Sequence, residues 1–205
     1  MTFAAFLIAA LLLAITPGPG IAYVVARTAA GGRSEGLASC LGTGLGGFVH
    51  VVAAALGLSL LIAQSALAFN FLKYLGAVYL VYLGVRMLLR KRQDLPSNPI
   101  ESQGSRRAFL EGILVEALNV KTALFFLAFL PQFISASESL MPQLIFMGTI
   151  CVALNTVVDV LAVFAAARLL KSGAARAARA HILTRASGVT MIGLGTYLAF
   201  AKRQG

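Results

Sequence analysis

The sequence predicts an all-α membrane protein: six transmembrane helices arranged as two inverted three-helix repeats, in a single integral membrane domain over residues 1–205. Three observations predict it. The chain is 59% hydrophobic and only 12% charged, with a mean hydropathy of +0.88, which leaves too little polar surface to coat a soluble globule. Its apolar residues fall into long stretches of membrane-spanning length. Its basic residues collect in alternate connections between those stretches.

The stretches run from Phe3 to Ala26, Leu37 to Ala63, Leu67 to Val85, Ala108 to Ile134, Leu140 to Ala167 and Gly188 to Ala201. A span needs roughly 20 apolar residues to cross a hydrocarbon core about 30 Å thick. Most reach that length, and the sixth does so if Ile182 to Ser187 extends it. Arg27 and Arg33 follow the first segment. Arg86, Arg90, Lys91, Arg92, Arg106 and Arg107 lie between the third and fourth, and Arg168, Lys171, Arg176, Arg179 and Arg185 between the fifth and sixth. The connections around Gln64 to Asn70 and Gln132 to Pro142 carry no Lys or Arg. The basic connections are therefore cytoplasmic, and six crossings put both termini outside. Lys202 and Arg203 run against that at the C-terminus. A re-entrant first segment would instead leave the N-terminus inside without moving any loop. The alternating pattern also explains the net charge of +10 without nucleic acid as a partner.

The first segment is not read as a secretory signal: it lacks a basic start, and Pro and Gly replace the small-residue cleavage pattern. Repeat 1 covers about 1–89 and repeat 2 about 108–205. The connection of about 90–107, with Pro96, Ser97, Asn98, Pro99 and Gly104, reads as a cytoplasmic linker. The cluster Arg90-Lys91-Arg92 anchors the third segment at the anionic inner leaflet, with direct lipid recognition as the alternative. Cys40 and Cys151 fall inside segments and read as packing residues. No disulfide, metal site, cofactor or catalytic residue is expected.

Thr16-Pro17-Gly18-Pro19-Gly20 interrupts the first segment at membrane depth. Unpaired backbone there is tolerated only where it is buried in protein or lines a polar cavity. The halves also look related: Lys73-Tyr74-Leu75-Gly76 and Arg185-Ala186-Ser187-Gly188 open segments three and six, with Gly84 and Gly195 further on, and Cys40 and Cys151 fall in matching segments. Three helices per half give the second half the opposite orientation, as in many secondary transporters. Segment four then owes an equivalent of the break, and Glu116-Ala117-Leu118-Asn119-Val120-Lys121 lies at that point. An ionisable Lys121 at such depth costs roughly 2.5 to 3.5 kcal/mol and needs a partner or a watery cavity. Asp159 poses the same problem in segment five. Either the two form a structural ion pair, or one or both face a substrate or a proton path.

Thr16-Pro17-Gly18-Pro19-Gly20, Arg27-Thr28 through Gly31-Gly32-Arg33 to Gly36-Leu37-Ala38, Gly42 to Gly46, Asn119-Val120-Lys121 and Leu130-Pro131-Gln132-Phe133 together resemble the LysE/RhtB family of bacterial amino-acid exporters over nearly the whole chain. The resemblance implies a six-helix protein of the bacterial inner membrane that exports amino acids or close derivatives, driven by the proton gradient. Leu130-Pro131-Gln132-Phe133, His50 and Val157-Val158-Asp159 look closer to the RhtB-like branch, associated with homoserine, threonine and other neutral amino acids. Two positions depart from the pattern. Val120 stands where the family usually has Pro, which makes a break in segment four less expected than one in segment one. Glu116 stands where an amide is common.

A half-helix starting near Pro19 would turn amide groups toward a cavity, and such a start attracts the carboxylate of an amino acid. Thr16, Asn119 and Lys121 are expected to complete that seat, while a plain packing kink is the rival reading of the Pro/Gly break. Asp159 is the candidate for the substrate ammonium or for proton coupling. His50 is a second titratable candidate, against a hydrogen-bonded packing role, and Glu116 lines the pathway or ends a helix at the cytoplasmic side. Gly42 and Gly46 have the spacing of close helix contact, either within the protomer or between two protomers. An intramembrane enzyme would need convergent ligands or a nucleophile with its base, which one membrane His and scattered carboxylates do not offer. A passive channel or scaffold is the remaining alternative.

Overall fold

The computed structural model describes residues 3–58, 66–89, 101–135 and 138–169, with residues 189, 192, 193, 195, 196, 199 and 200 of the last segment. The cluster Arg90-Lys91-Arg92, the Pro-containing stretch 96–99, Lys171 to Arg185 and Lys202-Arg203 lie outside the described residues. Most of the described residues are helical, with no strand among them.

Helix α1 (Phe3–Ile15) ends where Thr16 to Gly18 run without helix. Helix α2 (Pro19–Ala53) begins at Pro19, a position where the missing N–H costs nothing. It is not one rod. Gly31 and Gly32 leave helical geometry, and Gly32 has φ +72°, a conformation that side chains with a Cβ rarely adopt. The chain folds back there into two arms, α2a (19–30) and α2b (33–53). Thr28 on one arm touches Gly36 on the other, and Val24, Cys40 and Val163 share one small core cluster. A π-turn (Ala54–Leu58) extends α2b.

Helix α3 (Ala66–Leu89) follows, and Gly195 of the last segment packs on its Ala77 carbonyl. Helix α4 (Ser105–Ala117) and the short α5 (Val120–Leu124) meet at a break. After α5 come a π-turn (Phe125–Phe129) and a 3₁₀ turn (Leu130–Phe133), and then α6 (Leu140–Leu169). By length and apolarity two helical stretches can cross a membrane: the stretch Pro19–Gly57, of which only α2b with its π-turn remains long enough once the chain folds back at Gly31–Gly32, and Leu140–Arg168. A third qualifies if the pair Ser105–Ala117 and Val120–Phe133, bent by 40°, is one span.

The break between α4 and α5 corrects the expected asymmetry between the first and fourth segments. No Pro is needed there, because Asn119 makes the break itself. Its backbone is extended, and its side-chain oxygen accepts from the Lys121 N–H at 3.1 Å, which is an N-cap. Val120 is then the first residue of α5, the position where a Pro is neither required nor harmful.

Close backbone contact joins α2b to α4. A Cβ on Gly42 would run into the Phe109 carbonyl and one on Gly46 into the Ile113 carbonyl, while Gly112 lies against Ser39. The Gly42 to Gly46 spacing thus serves a contact inside the protomer. Beyond the hairpin tip, the approach to α4 is docked on buried Glu35. Its Oε1 accepts from the N–H groups of Gln103 (3.1 Å) and Gly104 (2.8 Å) and from the Ser102 hydroxyl. Arg27 stands 3.7 Å from the other oxygen.

The main core gathers Phe6, Leu13, Phe125, Phe126, Phe129, Leu130 and Leu144. The rest of the interior is unusually polar. Arg27, Glu35, Glu116, Lys121 and Asp159 are buried, while Leu118 is 77% exposed, Leu41 66% and Leu161 62%. Charges inside and leucines outside invert the rule for proteins in water, and match a body whose outer solvent is hydrocarbon.

Candidate substrate site at two broken helices

Each break leaves backbone groups without helical partners, and each set is satisfied across the molecule. At the end of α1 the Lys121 ammonium donates to the carbonyls of Leu13 (3.1 Å) and Thr16 (2.9 Å). A cation belongs there, because the free carbonyls of a helix C-terminus carry partial negative charge. The Lys121 stem lies against Gly18. At the end of α4, His50 Nε2 lies 2.8 Å from the Glu116 carbonyl, and the Asn119 N–H donates to the same oxygen at 3.0 Å. His50 is therefore a donor that ties α2b to the second break, with its ring 5.9 Å from that of Phe126.

Between the two breaks lies a cavity bounded by the start of α2a, the middle of α2b, α5 and the middle of α6. It brings Gly20, Glu116, Asn119, Lys121 and Asp159 together. Thr16, Pro17, Gly18, Pro19 and His50 do not line it. The Thr16 hydroxyl instead donates to the Leu12 carbonyl within its own helix turn.

The ionisable groups in the cavity are partnered unequally. Glu116 accepts from Asn119 Nδ2 at 3.0 Å and from the Thr122 hydroxyl at 2.7 Å. Asp159 Oδ2 accepts from the Thr43 hydroxyl at 2.9 Å, and Oδ1 has no hydrogen-bond partner among the described residues. Lys121 and Asp159 form no ion pair, since the ammonium is held on the α1 carbonyls. The cavity measures about 20 Å³, which is room for about one water molecule.

Sequence reasoning missed Thr43, Thr122, Asn155 and Thr156, all of which line this cavity. A signal existed for two of them. Asn155 and Thr156 stand four and three residues before Asp159, so helical spacing puts them on its face. Thr43 and Thr122 carry no such mark, because a Thr hydroxyl in an apolar helix usually bonds back to its own turn. Cys40 and Cys151 are buried and free, and no group of three or more His, Cys, Asp or Glu assembles among the described residues.

Ionisable groups gathered where broken helices meet, inside a helical body with an apolar exterior, define a membrane protein of the translocator class. The chain belongs to the LysE type translocator family, whose family profile matches residues 11–202. It is 30% identical over 202 residues to an uncharacterized membrane protein of Vibrio cholerae, covering 97% of this chain and 96% of that protein. It is 34% identical over 155 residues to the membrane protein YrhP of Bacillus subtilis, covering 71% and 74%. A homoserine/homoserine lactone efflux protein of Salmonella typhimurium is 31% identical over 156 residues, 75% of each chain. No solved structure matches.

Proposed function

We propose that this protein is a secondary active exporter that moves amino acids or their derivatives out across the bacterial inner membrane, coupled to protons. The substrates are neutral compounds of the homoserine, threonine or leucine kind. The observation that carries the reading is the cavity itself: Asp159 holds a carboxylate oxygen without a partner among the described residues, opposite two broken helices in a family of translocators. Asp159 receives the substrate ammonium or the coupling proton, and Gly20, Asn119 and Lys121 form the opposite wall. Three helices before the linker and three after it, in opposite orientations, would let the halves rock around this point and open it to each side in turn. The name of the Salmonella relative supports an amino-acid derivative as cargo.

Transport by reconstituted protein tests this directly. Proteoliposomes with an imposed proton gradient should accumulate a neutral amino acid or derivative against its own gradient, and collapsing the proton gradient should stop it. Asp159→Asn, which keeps shape and can still meet Thr43, should abolish the accumulation. Downhill movement alone, indifferent to the proton gradient, would assign a passive channel instead.

A further inference from the structure

The two helical arms that meet the cavity at the breaks, α2a and α4, are anchored differently. Helix α4 is riveted to α2b. Gly42 meets the Phe109 carbonyl, Gly46 the Ile113 carbonyl and Gly112 the Ser39 carbonyl, each too close for a Cβ. Glu35 also fastens the approach to α4 through the N–H groups of Gln103 and Gly104. The arm α2a, about three turns long, shows no such rivet: Gly20 meets only side-chain atoms, and Thr28 reaches Gly36 through its hydroxyl. Both ends of α2a are joints. Thr16 to Gly18 are not helical before it, and Gly31 and Gly32 leave helical geometry after it, with open space where a Cβ on Gly32 would stand.

Few polar ties hold this arm. The Tyr23 hydroxyl lies 3.0 Å from the Ala108 carbonyl and 3.2 Å from Glu111 Oε2, with one hydrogen for the two. Arg27 stands 3.7 Å from Glu35 Oε2, and its Nε and Nη1 make no hydrogen bond among the described residues. On the outward face Ala22, Val25 and Ala29 are exposed, so the arm can move toward hydrocarbon without carrying a polar group on that side.

The arm is what covers the cavity at one end. Helical spacing puts Gly20, Val24 and Thr28 on one face. Gly20 lines the cavity. One turn on, Val24 meets Cys40 and Val163 in a small buried plug, and these two stand one turn from Thr43 and Asp159. Arg27, Thr28 and Glu35, all buried, form the next layer. At its other end the cavity is bounded by Phe126 and the main core behind it. A thin plug thus seals one side and a whole core the other, and Arg27 and Arg33 mark the thin side as cytoplasmic.

The geometry points to α2a as the cytoplasmic gate of the cavity: an arm jointed at both ends, latched by Tyr23, that swings off Cys40 and Val163 to admit substrate. This rests on the exporter reading, and for the inward opening it needs only this arm to move, not a whole half.

The two native cysteines report the motion, since Cys40 sits under the arm and Cys151 in the main core. Purified wild-type protein in detergent is treated with N-ethylmaleimide, and each labelling rate is normalised to that of the denatured chain. Local opening should label Cys40 at least about tenfold faster than Cys151. Tyr23→Phe keeps the ring and removes the latch, and should speed Cys40 by roughly three- to tenfold with Cys151 unchanged. Equal wild-type rates overturn the gate. So does a Tyr23→Phe protein in which Cys40 is unchanged or both cysteines speed up together. If Tyr23→Phe does not give folded protein, the wild-type ratio decides by itself. In membranes, an impermeant maleimide should reach Cys40 from the cytoplasmic face, and labelling from the outer face alone overturns the assignment. None of these readings depends on transport. Equal protection of the two cysteines in a protein that still accumulates substrate removes the gate and keeps the exporter, whereas selective Cys40 labelling without transport removes the exporter alone.

Discussion

At the scale of the residue, Lys121 shows how an expensive charge becomes a structural one. Its ammonium caps α1 from a distance of more than one hundred residues along the chain. The Leu13 carbonyl also accepts from the Thr16 N–H at 3.2 Å, so removing Lys121 leaves the Thr16 carbonyl as the one without a donor among the described residues, a loss of about 1–3 kcal/mol. Lys121→Met should therefore lower stability by about that much, read as an earlier unfolding midpoint in detergent. An unchanged midpoint would mean that the Thr16 carbonyl finds another donor. The Lys was legible in the sequence because ionisable residues are rare at membrane depth. Its acceptors were not, since the carbonyls of Leu13 and Thr16 belong to the backbone and leave no side-chain mark.

At the scale of the element, the two breaks differ in how they announce themselves. Thr16-Pro17-Gly18-Pro19-Gly20 reads as a break from composition alone. The α4–α5 break hangs on a single Asn cap, which no Pro advertises, and so the sequence understated it. Asn119→Ala should cost about 1 kcal/mol from the lost cap, with a further loss because Glu116 gives up its amide donor. Val120→Pro should be tolerated within about 1 kcal/mol in either direction. Val120 opens α5, and the backbone of Asn119 before it (φ −74°, ψ +100°) already suits a following Pro. Marked destabilisation by Val120→Pro in a thermal melt would contradict the N-cap geometry. Helix contact gives a sharper contrast. Gly42→Leu drives a side chain into the Phe109 carbonyl and should cost more than the 1–3 kcal/mol typical of about one or two excess methylenes. Gly57→Ala, with nothing within 4 Å of its Cβ, should stay within about 0.5 kcal/mol. Comparing folded yields of the two variants checks both.

At the scale of the whole molecule, the alternating basic connections specify an orientation that side-chain contacts do not. If the protein crosses six times, Ser139 faces the outside and Ser34, at the hairpin tip, the cytoplasm. Both are exposed, and the native Cys40 and Cys151 are buried, so single added cysteines report cleanly. A membrane-impermeant thiol reagent added to intact cells should label Ser139→Cys and spare Ser34→Cys until the cells are opened. The reverse pattern would invert the topology. Helical class and the approximate bounds of most segments were legible, because hydropathy is a property of long windows. The fold-back at Gly31–Gly32 was expected only as a connection. Its tightness depends on one positive φ and on the Thr28–Gly36 contact, which no window average registers.

The small size of the cavity bears on protons as well as on the substrate. A space with room for about one water molecule does not hold a file of waters along which protons hop. At this cavity, in this shape, the described residues offer protons no continuous wire.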